Sequence, residues 1–146
     1  MKVRELMTTE PVTAEPNATL GEVATLMKQE DCGSIPVVEH GRLVGIVTDR
    51  DIVIRGIAAG TDPRTQRVSA IMSADPVTIG PGADLSEAEK VMADRQIRRL
   101  PVVENGKLVG IIVTAQVARA GDKRKVGETL KEISEPMSGR GSHGRG

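Results

Sequence analysis

The chain carries one sequence pattern twice, at a constant spacing and without a gap. Residues 5–56 match residues 70–121 at an offset of 65 positions. A unit of this length that occurs only twice does not describe a solenoid, because solenoids stack several short units to bury their core. The repeat therefore predicts two similar subdomains packed face to face.

The size and apolar composition of the chain indicate that the two copies share an interface. The 146 residues correspond to about one domain, and units of about fifty residues bury too little surface to be stable alone. The sequence contains no Phe, Trp or Tyr, so we expect a core of Val, Ile, Leu, Met and Ala. Aliphatic side chains pack densely enough for that purpose.

The charge balance and hydropathy argue against nucleic acid and membrane partners. Lys plus Arg number 20 and Asp plus Glu number 20, so the chain has no general attraction for phosphate-rich surfaces. The absence of aromatic residues also removes the side chains that stack on single-stranded bases. No apolar run reaches the length of a membrane span, and the first residues lack the apolar stretch of a signal peptide. We therefore expect a cytoplasmic protein.

Each copy predicts the same order of elements: extended segment, helix, strand, turn, strand, helix. Thr19 with Glu22, and Asp84 with Glu87, have the spacing of a capping box at the start of the first helix. Apolar residues at helical spacing follow in both copies: Leu20, Val23, Ala24 and Met27, then Leu85, Ala88 and Met92.

Two nearly continuous apolar runs in each copy predict a hairpin whose faces are both covered. The runs are separated by His40-Gly41 in the first copy and by Asn105-Gly106 in the second, which suit tight turns. A second helix is expected over about residues 50–57 and 115–120.

The pattern also divides the chain into segments. Residues 1–60 are expected to form the first repeat with its N-terminal lead-in, and residues 61–67 a polar linker. Residues 68–134 are expected to form the second repeat with a terminal helix. The glycine-rich, polar residues 135–146 predict a disordered tail.

The doubled PVVExGxLVGI string and the GIVTDRD string of residues 45–51 resemble a tandem pair of cystathionine-β-synthase (CBS) domains, a Bateman module. The resemblance covers residues 1 to about 134 and extends to small stand-alone actinobacterial pairs. It implies an α/β (α+β) fold in which two βαββα subdomains pack through their sheets with pseudo-twofold symmetry. It further implies a homodimer of modules and adenosine-containing ligands in clefts between the repeats.

Thr48 and Asp51 are the first candidate site residues. They lie where a strand is expected to deliver its end to a helix start, which favours an anion. The Asp51 carboxylate can accept hydrogen bonds from both ribose hydroxyls, and Thr48 can bond the sugar or a phosphate. The alternative is that this pair only satisfies the helix-end donors as a capping box.

The resemblance implies that a ligand at Asp51 takes its base contacts mainly from the other repeat. The implied base-pocket residues are Ile46, Val77, Thr78, Leu100 and Pro101.

Three arginines are candidate phosphate ligands: Arg98 and Arg99, expected at the same cleft, and Arg50. A planar guanidinium suits phosphate oxygens. The alternative is that Arg98 and Arg99 are solvated or pair with acids across a dimer, and that Arg50 points to solvent.

The second copy differs from the first at the motif that carries the site. Val113 replaces the hydroxyl of Thr48, and Gln116 replaces the carboxylate of Asp51. Gly33 and Ser34 stand in the first copy where the second has Arg98 and Arg99, so the second cleft is expected to lack both carboxylate and arginines. We expect one nucleoside site instead of two.

The resemblance, together with these candidate residues, implies a non-catalytic regulatory module that binds AMP, ADP, ATP or an S-adenosylmethionine-like compound and signals to an unknown effector protein. No catalytic cofactor and no metal site are expected, since no phosphate-loop or dinucleotide motif occurs. The alternative is a dimeric interaction protein without a small-molecule ligand. A third hypothesis is a metal or redox sensor that uses Cys32, the single cysteine, with His40.

Overall fold

The structure is a computed structural model that describes residues 1–129, with side chains described up to Gly121. The first copy contains α1 (Val3–Leu6), β1 (Thr8–Thr9), α2 (Leu20–Glu30), β2 (Ser34–Glu39), β3 (Arg42–Thr48) and α3 (Asp49–Asp51), which continues as a π-helix (Ile52–Ile57). The second contains a 3₁₀ turn (Val68–Ala70), β4 (Ser73–Ala74), α4 (Leu85–Arg95), β5 (Arg99–Glu104), β6 (Lys107–Val113) and α5 (Thr114–Thr129).

The helix α2 begins with the predicted capping box. Glu22 N–H donates to Thr19 Oγ1 at 3.2 Å, and Thr19 N–H donates to Glu22 Oε1 at 2.8 Å. Leu20, Val23 and Met27 are buried as expected, whereas Ala24 is exposed. The helix thus turns a narrower apolar face to the core than the sequence predicts.

The capping box expected at Asp84 and Glu87 is wrong, because Asp84 has another partner. Its carboxylate makes no cap hydrogen bond and instead accepts one from Lys2 Nζ at 3.0 Å. This contact holds the pKa of the Asp84 carboxyl below its ordinary value. The side chain ties the N-terminus to the start of α4.

Both hairpins form where the turn dipeptides predict them. His40 and Asn105 have φ of 53° and 54°, followed by Gly41 and Gly106 at 82° and 81°. Positive φ at both central residues matches the twist of the flanking strands. Gly adopts it readily because it has no Cβ, and Asn and His adopt it more often than most residues do.

The two hairpins join into one six-stranded sheet. The order is β1-β6-β3-β2, with β4 beside β3 and β5 beside β6. The hairpins meet at the pair Arg42↔Lys107, and helices cover two separate apolar cores, one for each copy. The α+β fold of two βαββα units packed through their strands is therefore confirmed.

The lead-in segments are exchanged between the copies. Val3 of α1 is fully buried in the core of the second copy, and β1 pairs with β6. In the same way Val68 and Ile71 are buried in the core of the first copy, and β4 pairs with β3. Each hydrophobic core is completed by the chain segment that precedes the other copy.

The C-terminal helix is longer than expected, since α5 runs to Thr129 instead of ending near residue 120. The rest of the predicted terminal helix and the predicted tail, residues 135–146, lie outside the described residues. Along residues 1–129, no helix combines the length and hydropathy needed to cross a bilayer.

Candidate functional site

Thr48 and Asp51 meet where β3 ends and α3 begins. Asp51 N–H donates to Thr48 Oγ1 at 3.1 Å, and Thr48 N–H donates to Asp51 Oδ2 at 2.9 Å. The two residues therefore form a complete capping box, the alternative that the sequence left open. Ligand contact by the same residues stays a prediction.

The second carboxylate oxygen of Asp51 is only loosely engaged. Asp51 Oδ1 lies 3.8 Å from Arg55 Nε, which is an ion-pair contact but too long for a hydrogen bond. The side chain is 14% exposed. Because each carboxylate oxygen can accept two hydrogen bonds, Asp51 can serve the helix cap and still accept from an external donor.

Gln116 reproduces half of this arrangement in the second copy. Its Oε1 accepts a hydrogen bond from Val113 N–H at 3.0 Å, as Asp51 does from Thr48, and its Nε2 donates to Thr8 Oγ1 at 3.1 Å. The hydroxyl of Thr48 has no counterpart, because Val113 stands there. Gln116 thereby connects the exchanged N-terminal segment to the start of α5.

A cleft of about 430 Å³ opens beside Gln116 and is called the Gln116 cleft below. Its walls combine an aliphatic surface with charged and polar side chains from both copies. The lining residues are Thr8, Glu10, Pro11, Val12, Glu30, Cys32, Ser34, Ile35, Pro36, Arg99, Ile111, Val113, Ala115, Gln116 and Arg119.

The expectation that this cleft lacks arginines is wrong, since Arg99 and Arg119 both line it. Arg99 begins β5 and pairs across the hairpin with Val113, the last residue of β6. Because β6 ends at this cleft, Arg99 lies there as well. Ser34, the repeat counterpart of Arg99, lines the same cleft. The starts of the two strands therefore lie close together, between the copies.

The predicted base-pocket residues occupy matched positions in the repeat. Subtracting the offset of 65 from Val77, Leu100 and Pro101 gives Val12, Ile35 and Pro36, which line the Gln116 cleft. Adding it to Ile46 gives Ile111, which lines the cleft as well. Leu100 and Pro101 are buried, Ile46 and Val77 are half-buried, and Thr78 is exposed.

The predicted phosphate ligands lie at different places. Arg50 is exposed on α3, and its counterpart Ala115 lines the Gln116 cleft. Arg98 is exposed, and its carbonyl oxygen accepts from Thr114 N–H at 2.9 Å and from Thr114 Oγ1 at 3.1 Å. The structure thus places Arg99 at the Gln116 cleft, whereas its contact with a ligand at Asp51 stays a prediction.

Arg119 and Glu30 line the Gln116 cleft although no sequence motif marks either of them. Arg119 stands one helical turn after Gln116, so it could have been found by following the helix beyond the motif itself. Glu30 closes α2 of the first copy, and only the packing of the two copies brings it to this cleft.

Cys32 and His40 do not share a site. Cys32 lines the Gln116 cleft, whereas His40 lines a smaller cleft of about 220 Å³ with Glu15 and Glu39. Among the side chains that the structure describes, no three metal-ligating residues form a group that could hold an ion.

Two bacterial proteins are similar to this chain over nearly its whole length. CBS domain-containing protein YhcV of Bacillus subtilis is 44% identical over 133 residues, which span 90% of this chain and 94% of that protein. Hypoxic response protein 1 of Mycobacterium tuberculosis is 34% identical over 136 residues, spanning 92% and 95%.

Solved structures agree with these sequence relatives. The crystal structure of Hypoxic Response Protein I with two coordinated zinc ions matches with a TM-score of 0.75 at 35% identity, covering 82% of this chain and 98% of that one. The crystal structure of CBSX2, a CBS-pair protein from Arabidopsis thaliana, in complex with AMP also gives a TM-score of 0.75, at 26% identity, covering 85% and 98%.

The model of the CBS domain matches residues 3–56 and again residues 68–122, which are the two copies of the repeat. The chain therefore belongs to the CBS domain family and contains a tandem pair of these domains.

Proposed function

We propose that this chain is a non-catalytic regulatory module that binds an adenosine-containing ligand in the Asp51 cleft. The Asp51 cleft is the repeat counterpart of the Gln116 cleft, with Asp51 in the place of Gln116. The observation that carries the proposal is the partly engaged Asp51 carboxylate at the strand–helix junction of the first CBS domain.

The internal repeat supports the composition of this cleft. Residues of the Gln116 cleft map by the offset of 65 onto the predicted ribose and base contacts of the Asp51 cleft: Thr48, Asp51, Ile46, Val77, Leu100 and Pro101. Apolar walls of this kind suit a flat base, and the polar strand end suits the sugar.

The hydrogen-bonding capacity of Asp51 supports the ribose as the recognised group. A ribose presents two hydroxyl donors side by side, and a carboxylate accepts without donating. An amide such as that of Gln116 already uses its oxygen on Val113 N–H and donates to Thr8. We therefore expect the two clefts to differ in how well they bind a ribose.

The solved relatives support the class of ligand. CBSX2, which shares the fold, is described in complex with AMP. We extend that class to this chain because Asp51 and Thr48 supply the acceptors that an adenosine ribose requires. Arg50, Arg98 and Arg99 are the proposed phosphate contacts.

The exchanged lead-in segments suggest how binding is transmitted. A ligand between the copies contacts elements of both, and the strands β1 and β4 tie each copy to the other. Binding shifts the relative orientation of the copies only by the difference in affinity between two arrangements. We propose that a homodimeric, cytoplasmic form presents this change to an effector protein.

Thermal unfolding in the presence of AMP, ADP, ATP and S-adenosylmethionine tests the proposal. A ligand at a hundred times its dissociation constant stabilises the fold by about 2.7 kcal/mol, which a melt resolves. The variant Asp51→Asn keeps an oxygen for Thr48 N–H but loses the charge and one acceptor, so we expect it to unfold normally and lose the ligand response.

Two further variants make the result specific. Glu22→Gln is the matched control, because it makes the same kind of change in the capping box of α2. The two residues of that box, Thr19 and Glu22, do not line the Gln116 cleft. Gln116→Ala reports on the second cleft. A response that survives Asp51→Asn contradicts the assignment to Asp51, and no response to any ligand favours the interaction protein without a ligand.

A further inference from the structure

Arg55 connects the strand–helix junction of the first copy to the lead-in of the second copy, called the second lead-in (residues 68–74) below. Its Nε lies 3.8 Å from Asp51 Oδ1, and its Nη1 donates a hydrogen bond of 3.2 Å to the carbonyl oxygen of Ile71. Ile71 directly follows the 3₁₀ turn and is buried in the core of the first copy. One guanidinium therefore contacts both the carboxylate of the proposed ribose site and the exchanged segment.

Arg55 also affects how the Asp51 carboxylate is held. Thr48 N–H holds Oδ2 through a hydrogen bond of 2.9 Å, and the Arg55 guanidinium is the charged group beside Oδ1. A single hydrogen bond leaves the plane of a carboxylate free to tilt, so attraction to an adjacent guanidinium decides where the second oxygen points. Removal of Arg55 is therefore expected to loosen the oxygen that the proposed function assigns to the ribose.

The second copy makes the corresponding link without an arginine. Gln116 Nε2 donates to Thr8 Oγ1 at 3.1 Å, and Thr8 belongs to β1, the strand of the first lead-in. The offset of 65 places Ala120 at the position of Arg55. A carboxylate has no hydrogen to donate, whereas an amide has two. The first copy therefore needs a side chain with several donors between its carboxylate and the carbonyl oxygen of the lead-in.

The backbone around Arg55 differs between the copies as well. Residues 52–57 form a π-helix, in which Ala58 N–H donates to the Val53 carbonyl oxygen at 2.8 Å. The counterpart residues 117–122 continue α5 as an α-helix. Turns of π-helix are rare and frequently occur at functional sites. Backbone and side chain thus differ at the same place, which favours a role for Arg55 that the second copy does not have.

We propose that Arg55 is a positioning residue of the Asp51 cleft and that it links ligand binding there to the docking of the second lead-in. This role rests on the function proposed above. A ribose hydroxyl that donates to Oδ1 and the guanidinium beside Oδ1 stabilise the same orientation of the carboxylate. Because coupling between two sites is reciprocal, a lead-in that strengthens ligand binding through Arg55 is itself held more firmly by the bound ligand.

Amide hydrogen exchange without ligand tests the link itself. Met72 N–H donates to the Val68 carbonyl oxygen at 3.0 Å within the second lead-in, so its exchange rate measures how often this segment opens. We expect Asp51→Asn to raise this rate several-fold in the wild-type background and to leave it unchanged in an Arg55→Met background, because methionine has neither charge nor donor. Equal effects of Asp51→Asn in the two backgrounds overturn the link.

Arg64→Met is the matched control for the loss of an arginine. Arg64 binds the Asp62 carboxylate through Nε and Nη2, both at 3.1 Å, and therefore also pairs with an acid, but in the linker. We expect Asp51→Asn to raise the Met72 exchange rate in the Arg64→Met background as it does in wild type. Loss of the effect in both arginine variants would assign it to the change in net charge and overturn the specific role of Arg55.

Calorimetric titration with AMP, ADP, ATP and S-adenosylmethionine separates this role from the proposed function. We expect Arg55→Met to weaken several-fold the binding of the compound that wild type binds, and Arg55→Lys, which keeps a cation beside Oδ1, to restore part of the affinity. Unchanged affinity in Arg55→Met overturns the positioning role. If wild type binds none of the four compounds, the function proposed for the Asp51 cleft fails and the positioning role fails with it, whereas the exchange experiment still decides the link between Asp51 and the second lead-in.

Discussion

The capping box of Thr48 and Asp51 has a structural role that can be measured separately from ligand binding. Thr48 Oγ1 accepts Asp51 N–H at the start of α3, and Val113 shows what the second copy uses instead. We expect Thr48→Val to lower the free energy of unfolding by about 1 kcal/mol, the usual cost of losing an N-cap. Denaturant unfolding measures it, and Thr78→Val, at an exposed threonine, is the control.

A pH-dependent contact joins the N-terminus to the second copy. The Lys2 ammonium lowers the pKa of the Asp84 carboxyl from 3.8, so the folded state binds the proton more weakly than the unfolded state does. The contact therefore stabilises the folded state above pH 3.8. This stabilisation is lost as the pH falls through the pKa that Asp84 has in the folded protein. We expect Lys2→Met to raise the pKa of Asp84 in an NMR titration. Asp62 is the control: Arg64, not Lys2, lowers the pKa of its carboxyl, so we expect that pKa to stay unchanged.

At the scale of the elements, two glycines allow the exchanged segments to cross the long strands. A Cβ on Gly45 would lie 2.6 Å from Met72 Sδ and 3.0 Å from Ser73 O, and one on Gly110 would lie 2.7 Å from Met7 Sδ and 2.9 Å from Thr8 O. The recurring methionines and glycines thus meet across the copies. The sequence showed that these residues repeat, but not that Met7 of the first lead-in packs against Gly110 of the second copy.

The close approach predicts a cost for any side chain at these glycines. We expect Gly45→Ala and Gly110→Ala each to destabilise the fold by about 1–3 kcal/mol, the usual range for overpacking, since a backbone oxygen cannot move as a side chain can. Gly80→Ala is the matched control, with no atom within 4 Å of the added Cβ. Equal midpoints of denaturant unfolding for all three variants would contradict the crossing geometry.

At the scale of the whole molecule, the exchange makes each copy depend on the other. Val3 and Val68 are both fully buried, Val3 in the core of the second copy and Val68 in the core of the first. A polypeptide that ends at the linker therefore leaves one core without its lead-in and leaves the other lead-in exposed. The segment boundaries expected from the sequence remain a proposal.

Separate halves test this dependence. We expect residues 1–66 and residues 67–146, expressed apart, each to give the poorly dispersed amide spectrum of an unfolded chain and to fold when mixed. The physical reason is that each half lacks a buried valine and a paired strand of its own core. A cooperative unfolding transition in either isolated half would show that the exchange is not required.

The sequence by itself determined the positions of the hairpin turns and the capping box of Thr19, because these depend on residues that are close together in the chain. The repeat at an offset of 65 residues determined that the fold is doubled, and the resemblance implied its α+β class. The capping role of Thr48 was one of two alternatives that the sequence left open. The sequence also identified the chemical difference between Asp51 and Gln116. Only the tertiary structure decided the partner of Asp84, the exchange of the lead-ins, and the location of Arg99, Arg119 and Glu30 at the Gln116 cleft. These contacts join residues far apart in the chain, and the same repeat pattern is compatible with either pairing until the cores are packed.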